Sequence, residues 1–264
     1  MFQVALQTLD LIYHSTVRSV RQSHRNAVMA IIVNVMQTVI FVAVFYVMFS
    51  VLGMKRGAVR GDFLMFLLSG IFLYLTHIKA LGAVASANTA TNQMLLHAPL
   101  NSLVLVCSSA LSNIYTQFIS LVLVLTIYHI AVTPVEIDNW RGAVGMFFLA
   151  WFSGLGVGAI VMAITPWMPG LAPILKTIYI RANMIASGKM FLANSLPGYM
   201  LDWFDWNPLF HIIDQARGYV FLNYNPHFSN WVYAVWVSLA LIVLGMLGEF
   251  YTRKHASISW NATR

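Results

Sequence analysis

The chain has 264 residues, 59% of them hydrophobic and 9% charged, where a soluble domain carries roughly 25% charged residues; that balance excludes a soluble enzyme and points to a polytopic membrane protein. The formal charge of +7 sits partly in the two tails, with Arg18, Arg21 and Arg25 before the first long apolar run and Arg253, Lys254 and Arg264 after the last, so it does not describe a nucleic-acid-binding face. The single cysteine, Cys107, lies inside an apolar run and makes no intrachain disulfide.

The first 25 residues are periodic but too polar to cross a bilayer. Phe2, Leu6, Leu9, Tyr13, Val17 and Val20 recur at steps of three and four, with Gln3, Gln7, Asp10, Arg18 and Arg21 mostly off that stripe. The pattern predicts an amphipathic helix lying in the membrane surface, with Arg18, Arg21 and Arg25 near anionic headgroups. Docking on a partner is the competing use of the same face.

Six apolar runs follow, each read as a spanning helix because about 30 Å of hydrocarbon needs about 20 apolar residues. They cover Ala27 to Gly53, Phe63 to Ala87, Ser102 to Val132, Ala143 to Thr165, Leu171 to Leu192 and Trp231 to Tyr251. Lys79, the one full charge in the second run, is expected to snorkel. Basic tails are retained in the cytoplasm, so both termini are expected there, which an even number of spans satisfies. No leader peptide is recognisable, and the first span is expected to serve as the insertion signal. No linker or internal repeat divides the chain: one domain over 1–264 is expected, with an interfacial helix over 1–25, a membrane region over 27–251 and a cytoplasmic tail over 252–264.

Three segments stand out against this apolar background. The inner loop contains Asn92, Gln93, Met94, Leu95, Leu96, His97 and Pro99, and reads either as a brief helix offering apolar side chains to the cytoplasm or as an irregular connection. The fourth run holds "SGLGVGA", whose small residues suit close helix packing. The fifth run is the most polar. Arg181 there is costly if it faces lipid, so Arg181, Asn183, Ser187 and Lys189 are read as one polar face lining a path for an anionic or hydroxylated molecule. Snorkelling of Lys176 and Lys189 to opposite surfaces is the plainer alternative.

Between the last two runs lies an aromatic outer segment with Leu196, Pro197 and Trp206. Asn207 and Pro208 open a short helix, Asn as cap and Pro in the first turn. His211, Asp214 and Arg217 follow at three-residue spacing, expected to pair among themselves or stay wet while Leu209, Ile212, Ile213 and Ala216 face apolar surroundings. The tryptophans and tyrosines suit a headgroup-level belt or stacking on sugar rings. No phosphate-binding G-x-x-x-x-G-K-[ST] loop is present, nor any H-E-x-x-H, paired cysteines or G-x-S-x-G, and the eight histidines form no metal-ligand spacing.

The order of these parts resembles the permease subunits of ABC-2 type exporters, above all the branch that exports capsular polysaccharide and related surface glycans. The resemblance runs from about Ser86 to the C-terminus. It rests on "NQMLLHAP" at 92 to 99, "SGKMF" at 187 to 191, Leu196-Pro197, and Trp206-Asn207-Pro208-Leu209 with His211, Asp214 and Arg217. It implies an all-α integral membrane protein with short re-entrant helices between the fifth and sixth spans, in the bacterial cytoplasmic (inner) membrane. Asn92 to Pro99 would be the coupling helix that docks on a separate ATPase subunit, present in two copies, and the permease would pair with a second copy of itself. ATP and Mg²⁺ would be bound by that ATPase, and no cofactor, metal or catalytic residue would belong to this chain. The substrate would be a glycan or lipid-linked glycan, with membrane lipids, a periplasmic adaptor and an outer-membrane exporter as further partners. A drug, lipid or teichoic-acid-like polymer is the alternative cargo. The other classes are an ATP-independent scaffold and a lipid-modifying enzyme using His211 and Asp214. The chain departs from the family at the start of the first span, where "RNAVMAIIVNVM" lacks the usual Leu-Gly-x-x-Trp stretch and proline, and early in the third span, where the usual acidic residues are missing.

Overall fold

The computed structural model describes residues 2–23, 27–53, 62–87 and 102–255. Among them the regular structure is helical: α1 (Phe2–Ser23), α2 (Ala27–Val51), α3 (Phe63–Ala85), α4 (Ser102–Ala131), α5 (Trp140–Ile164), α6 (Ala172–Ala186), α7 (Gly198–Leu201), α8 (Pro208–Val220) and α9 (Trp231–His255), with a 3-10 turn at Ala193–Ser195. Five of these, α2, α3, α4, α5 and α9, are long and apolar enough to cross a membrane. The expected fifth span over 171 to 192 is not among these five. Its helix, α6, has 15 residues, about 22 Å at 1.5 Å per residue, short of about 30 Å of hydrocarbon. It stops because Ser187 caps it and Gly188 turns to φ +72°, a conformation that favours glycine.

At the centre stands α3, largely enclosed: Phe66, Leu67, Ile71, Phe72, Ala80, Leu81 and Val84 are all buried. It packs on α5, whose glycines let the two backbones meet. A Cβ at Gly154 would lie 2.3 Å from the carbonyl oxygen of His77, and one at Gly158 would lie 2.8 Å from that of Leu81. The "SGLGVGA" run is therefore a packing surface. By contrast α2, α4 and α9 turn apolar side chains such as Val44, Val122 and Leu247 outward. The α5 helix begins earlier than the apolar run: Asn139 accepts from the amide of Gly142 and starts the helix at Trp140.

Polar side chains join α6 to this scaffold. Tyr74 donates to the carbonyl of Ile180 at 3.0 Å. Ser153 donates to the Ala150 carbonyl and so accepts from His77 Nδ1 at 2.8 Å, which leaves His77 Nε2 to accept from the Tyr179 hydroxyl at 3.0 Å. The helix α1 is continuous, as its periodicity predicts, and packs mainly on α4. Arg18 is exposed on it; Arg25 and the side chain of Arg21 fall outside the described residues.

Candidate functional site

At the end of the bundle where α5 and α9 begin, α8 is buried among α3, α5 and α9. Asn207 caps it as its sequence predicts, accepting from the amide of Leu209, with Pro208 in the first turn. The expectation that His211, Asp214 and Arg217 pair together or remain wet is corrected: they are only 4%, 2% and 1% exposed, and each holds a different stretch of chain. Arg217 donates to the carbonyls of Gly188 at 2.8 Å, Lys189 at 2.6 Å and Phe191 at 2.5 Å, with its guanidinium 4.0 Å from the centre of the Phe66 ring. Asp214 accepts from the hydroxyls of Tyr224 and Ser229 and from the amide of Ala193. His211 accepts at Nδ1 from the amide of Asn230 and donates from Nε2 to the carbonyl of Asp205. Packing explains the difference: α3, α5, α9 and the loops on either side of α8 close over these three side chains, while Gln215 and Tyr219 stay partly exposed.

Burial draws the Arg217 guanidinium down to about 10, opposed by the Asp214 carboxylate, so it stays charged at neutral pH. Burial and that same carboxylate push the Tyr224 hydroxyl well above the usual phenol range, so it remains a donor. The helix is thus a clamp for backbone carbonyls and loops. His211 and Asp214, each fully committed to main-chain and hydroxyl partners, form no acid–base pair. Leu196 and Pro197 lead into α7, and Trp206 is exposed, donating to the carbonyl of Trp203.

The four polar residues expected on one face do not share it. Arg181 is exposed, whereas Asn183, Ser187 and Lys189 are buried. Asn183 accepts from Asn207 at 2.9 Å and so ties α6 to the cap of α8. Lys189 does not snorkel: its ammonium lies 3.6 Å from the centre of the Tyr74 ring, with Phe41 and Phe45 at 5.2 and 5.5 Å, and makes no hydrogen bond. The stretch Asn92 to Pro99, with Gln93, Met94, Leu95, Leu96 and His97, lies outside the described residues.

A polar cavity lies at the opposite end, where α2 and α4 begin and α3 finishes. It has a volume of about 550 Å³ and opens between α1, α2, α3, α4 and α6. Lys79, Lys176, Asn34, Gln37, Asn113 and Gln117 line it, together with serine and threonine hydroxyls of α4. Lys79 does not snorkel but donates to Asn34 Oδ1. The signal for this site is in "SSALSNIYTQFIS": Ser108, Ser109, Ser112, Asn113, Thr116, Gln117 and Ser120 repeat every four residues, one polar stripe down an otherwise apolar helix. The stripe carries no charge, so charge patterning does not mark it.

No protein-family profile matches the chain. The polysialic acid transport protein KpsM of Escherichia coli is 23% identical over 198 residues, which cover 75% of this chain and 76% of that protein.

Proposed function

We propose, from the premise that this chain is a permease of the capsular-polysaccharide branch of ABC-2 type exporters, that it moves a polysaccharide or lipid-linked glycan out across the bacterial cytoplasmic membrane. It is a transport subunit and not an enzyme. A separate ATPase in two copies supplies the energy through the segment Asn92 to Pro99, and two permeases pair around the path. The observation that carries this reading is the similarity to KpsM across three quarters of both chains.

Six crossings with both termini inside follow if α6 and the segment after it complete one pass together. Non-helical backbone at membrane depth is tolerated only where protein satisfies its polar groups. What supports this is Arg217, which supplies donors to three carbonyls of the 188 to 191 turn. The lipid-linked form of the glycan is favoured by an apolar groove of about 710 Å³ between α1 and α4, lined by Tyr13, Val17, Val20, Tyr115 and Phe118 and suited to an acyl or prenyl chain.

The test is purification from native membranes followed by transport in vesicles. An ATPase chain is expected to co-purify, and glycan is expected to cross only with ATP. Transport by the permease alone, without nucleotide, overturns the reading.

A further inference from the structure

We infer that the polar cavity between α1, α2, α3, α4 and α6 is a binding site for an oxyanion, phosphate or carboxylate, borne on a hydroxylated molecule. The site stands on its own geometry; only the identity of the molecule carrying the oxyanion rests on the export reading.

The first argument is charge. Lys79 and Lys176 both line the cavity, and among the described residues no aspartate or glutamate does. The Lys176 ammonium reaches from α6 to α3, where a Cβ at Gly82 would lie 3.9 Å from it. Gly82 is three residues beyond Lys79, on the same side of the helix. Two ammonium groups therefore converge on one face of α3. Among the described residues neither has a carboxylate within 4.0 Å; the ion pairs found join His14 to Asp10 and His211 to Asp205. Cations inside an apolar bundle are costly without a counter-charge, and an anion entering the cavity supplies it.

The second argument is the unfilled hydrogen-bonding capacity of the wall. Gln117 is 2% exposed, yet its Nε2 has no partner, and the Oδ1 of Asn113 one turn away has none either. A buried amide left in this state costs about 1–3 kcal/mol unless a ligand or water completes it. Thr116 instead spends its proton within α4, donating to the Ser112 carbonyl, so its oxygen lone pairs are free to accept. The cavity thus offers ammonium and amide donors for an oxyanion beside hydroxyl and amide acceptors for alcohol groups. At about 550 Å³ it exceeds a lone phosphate and fits a sugar or glycerol unit attached to one.

The experiment uses the purified full chain in nanodiscs of phosphatidylcholine, with three probes: added phosphatidylglycerol read by native mass spectrometry, and oligogalacturonate and neutral maltohexaose read by calorimetry. At least one anionic probe is expected to bind and maltohexaose to bind at least about tenfold more weakly, a difference of one charge-assisted contact. Phosphatidylglycerol alone identifies a lipid headgroup as the source, oligogalacturonate a glycan terminus. Lys176→Gln, at the half-buried mouth, is expected to weaken the anionic probe about tenfold, with Lys176→Arg restoring it; Gln117→Leu is expected to weaken it less. Equal binding of neutral and anionic probes, or unchanged affinity in folded Lys176→Gln and Lys79→Gln, overturns the inference. ATP-driven glycan transport with charge-blind binding sinks this inference alone, whereas charge-selective binding without ATP-driven transport sinks the export reading alone.

Discussion

The guanidinium of Arg217 donates to the main-chain carbonyl of Lys189 at 2.6 Å, while the side-chain ammonium of that lysine lies 3.6 Å from the centre of the Tyr74 ring. Two buried cations meet at one residue, and they are not equivalent. Arg217 satisfies three carbonyls; the Lys189 ammonium makes no hydrogen bond and rests only on aromatic rings.

Arg217→Met is therefore expected to lower stability by about 3–5 kcal/mol, because it strands the carbonyls of the 188 to 191 turn without a donor. Arg217→Lys should not rescue it, since one ammonium cannot reproduce a planar fork. Thermal unfolding in detergent measures both. Lys189→Met is expected to leave the midpoint unchanged or raise it, because removing an ammonium without hydrogen bonds also removes its desolvation cost.

Asn207 caps α8 and also donates to Asn183 and the Ala186 carbonyl. Asn207→Ala should cost about 1–2 kcal/mol for the cap. With Asn183→Ala it should be less than additive, because the two share one bond. A double-mutant cycle on the unfolding midpoint checks this; strict additivity would show the contact to be energetically idle.

Gly154→Ala places a methyl group 2.3 Å from the His77 carbonyl oxygen. It should sharply reduce folded protein recovered from membranes, whereas Gly145→Ala, with nothing within 4 Å of the added atom, should not. Fluorescence-detected size exclusion separates the outcomes.

If the export reading holds, substituting Leu95 and Leu96 with aspartate is expected to release the partner ATPase while leaving membrane insertion intact. Pull-down from solubilised membranes reads the loss directly, and full retention of the ATPase would remove the docking assignment from this segment.

Arg181 is exposed on α6, away from the buried Asn183 and Lys189. Arg181→Gln is expected to lower export several-fold with assembly unchanged, measured by transported glycan per assembled complex. Export at the normal rate would return Arg181 to a surface role.

Apolar runs were enough to locate α2, α3, α4, α5 and α9, since bilayer-spanning helices need length and hydrophobicity more than any particular partner. The cap of α8 was equally legible, because Asn207-Pro208 acts through local backbone geometry. Two features were not. The Leu171 to Leu192 run breaks at Gly188 through one backbone angle, which composition does not announce. The wetness expected of His211, Asp214 and Arg217 failed because three-residue spacing specifies a face, not what covers it, and α3, α9 and the flanking loops close over that face. The cavity was hidden differently: its wall is an uncharged four-residue repeat in α4, and its second cation arrives from α6, which no local pattern in α4 announces.

Because Gly154 and Gly158 set the backbones of α3 and α5 in direct touch, those two helices have no cushion of side chains along which to slide or roll. They act as a keel. Relative movement within the bundle falls instead to the lightly anchored members, α6 above all, whose ties to the keel are polar bonds from Tyr74 and His77.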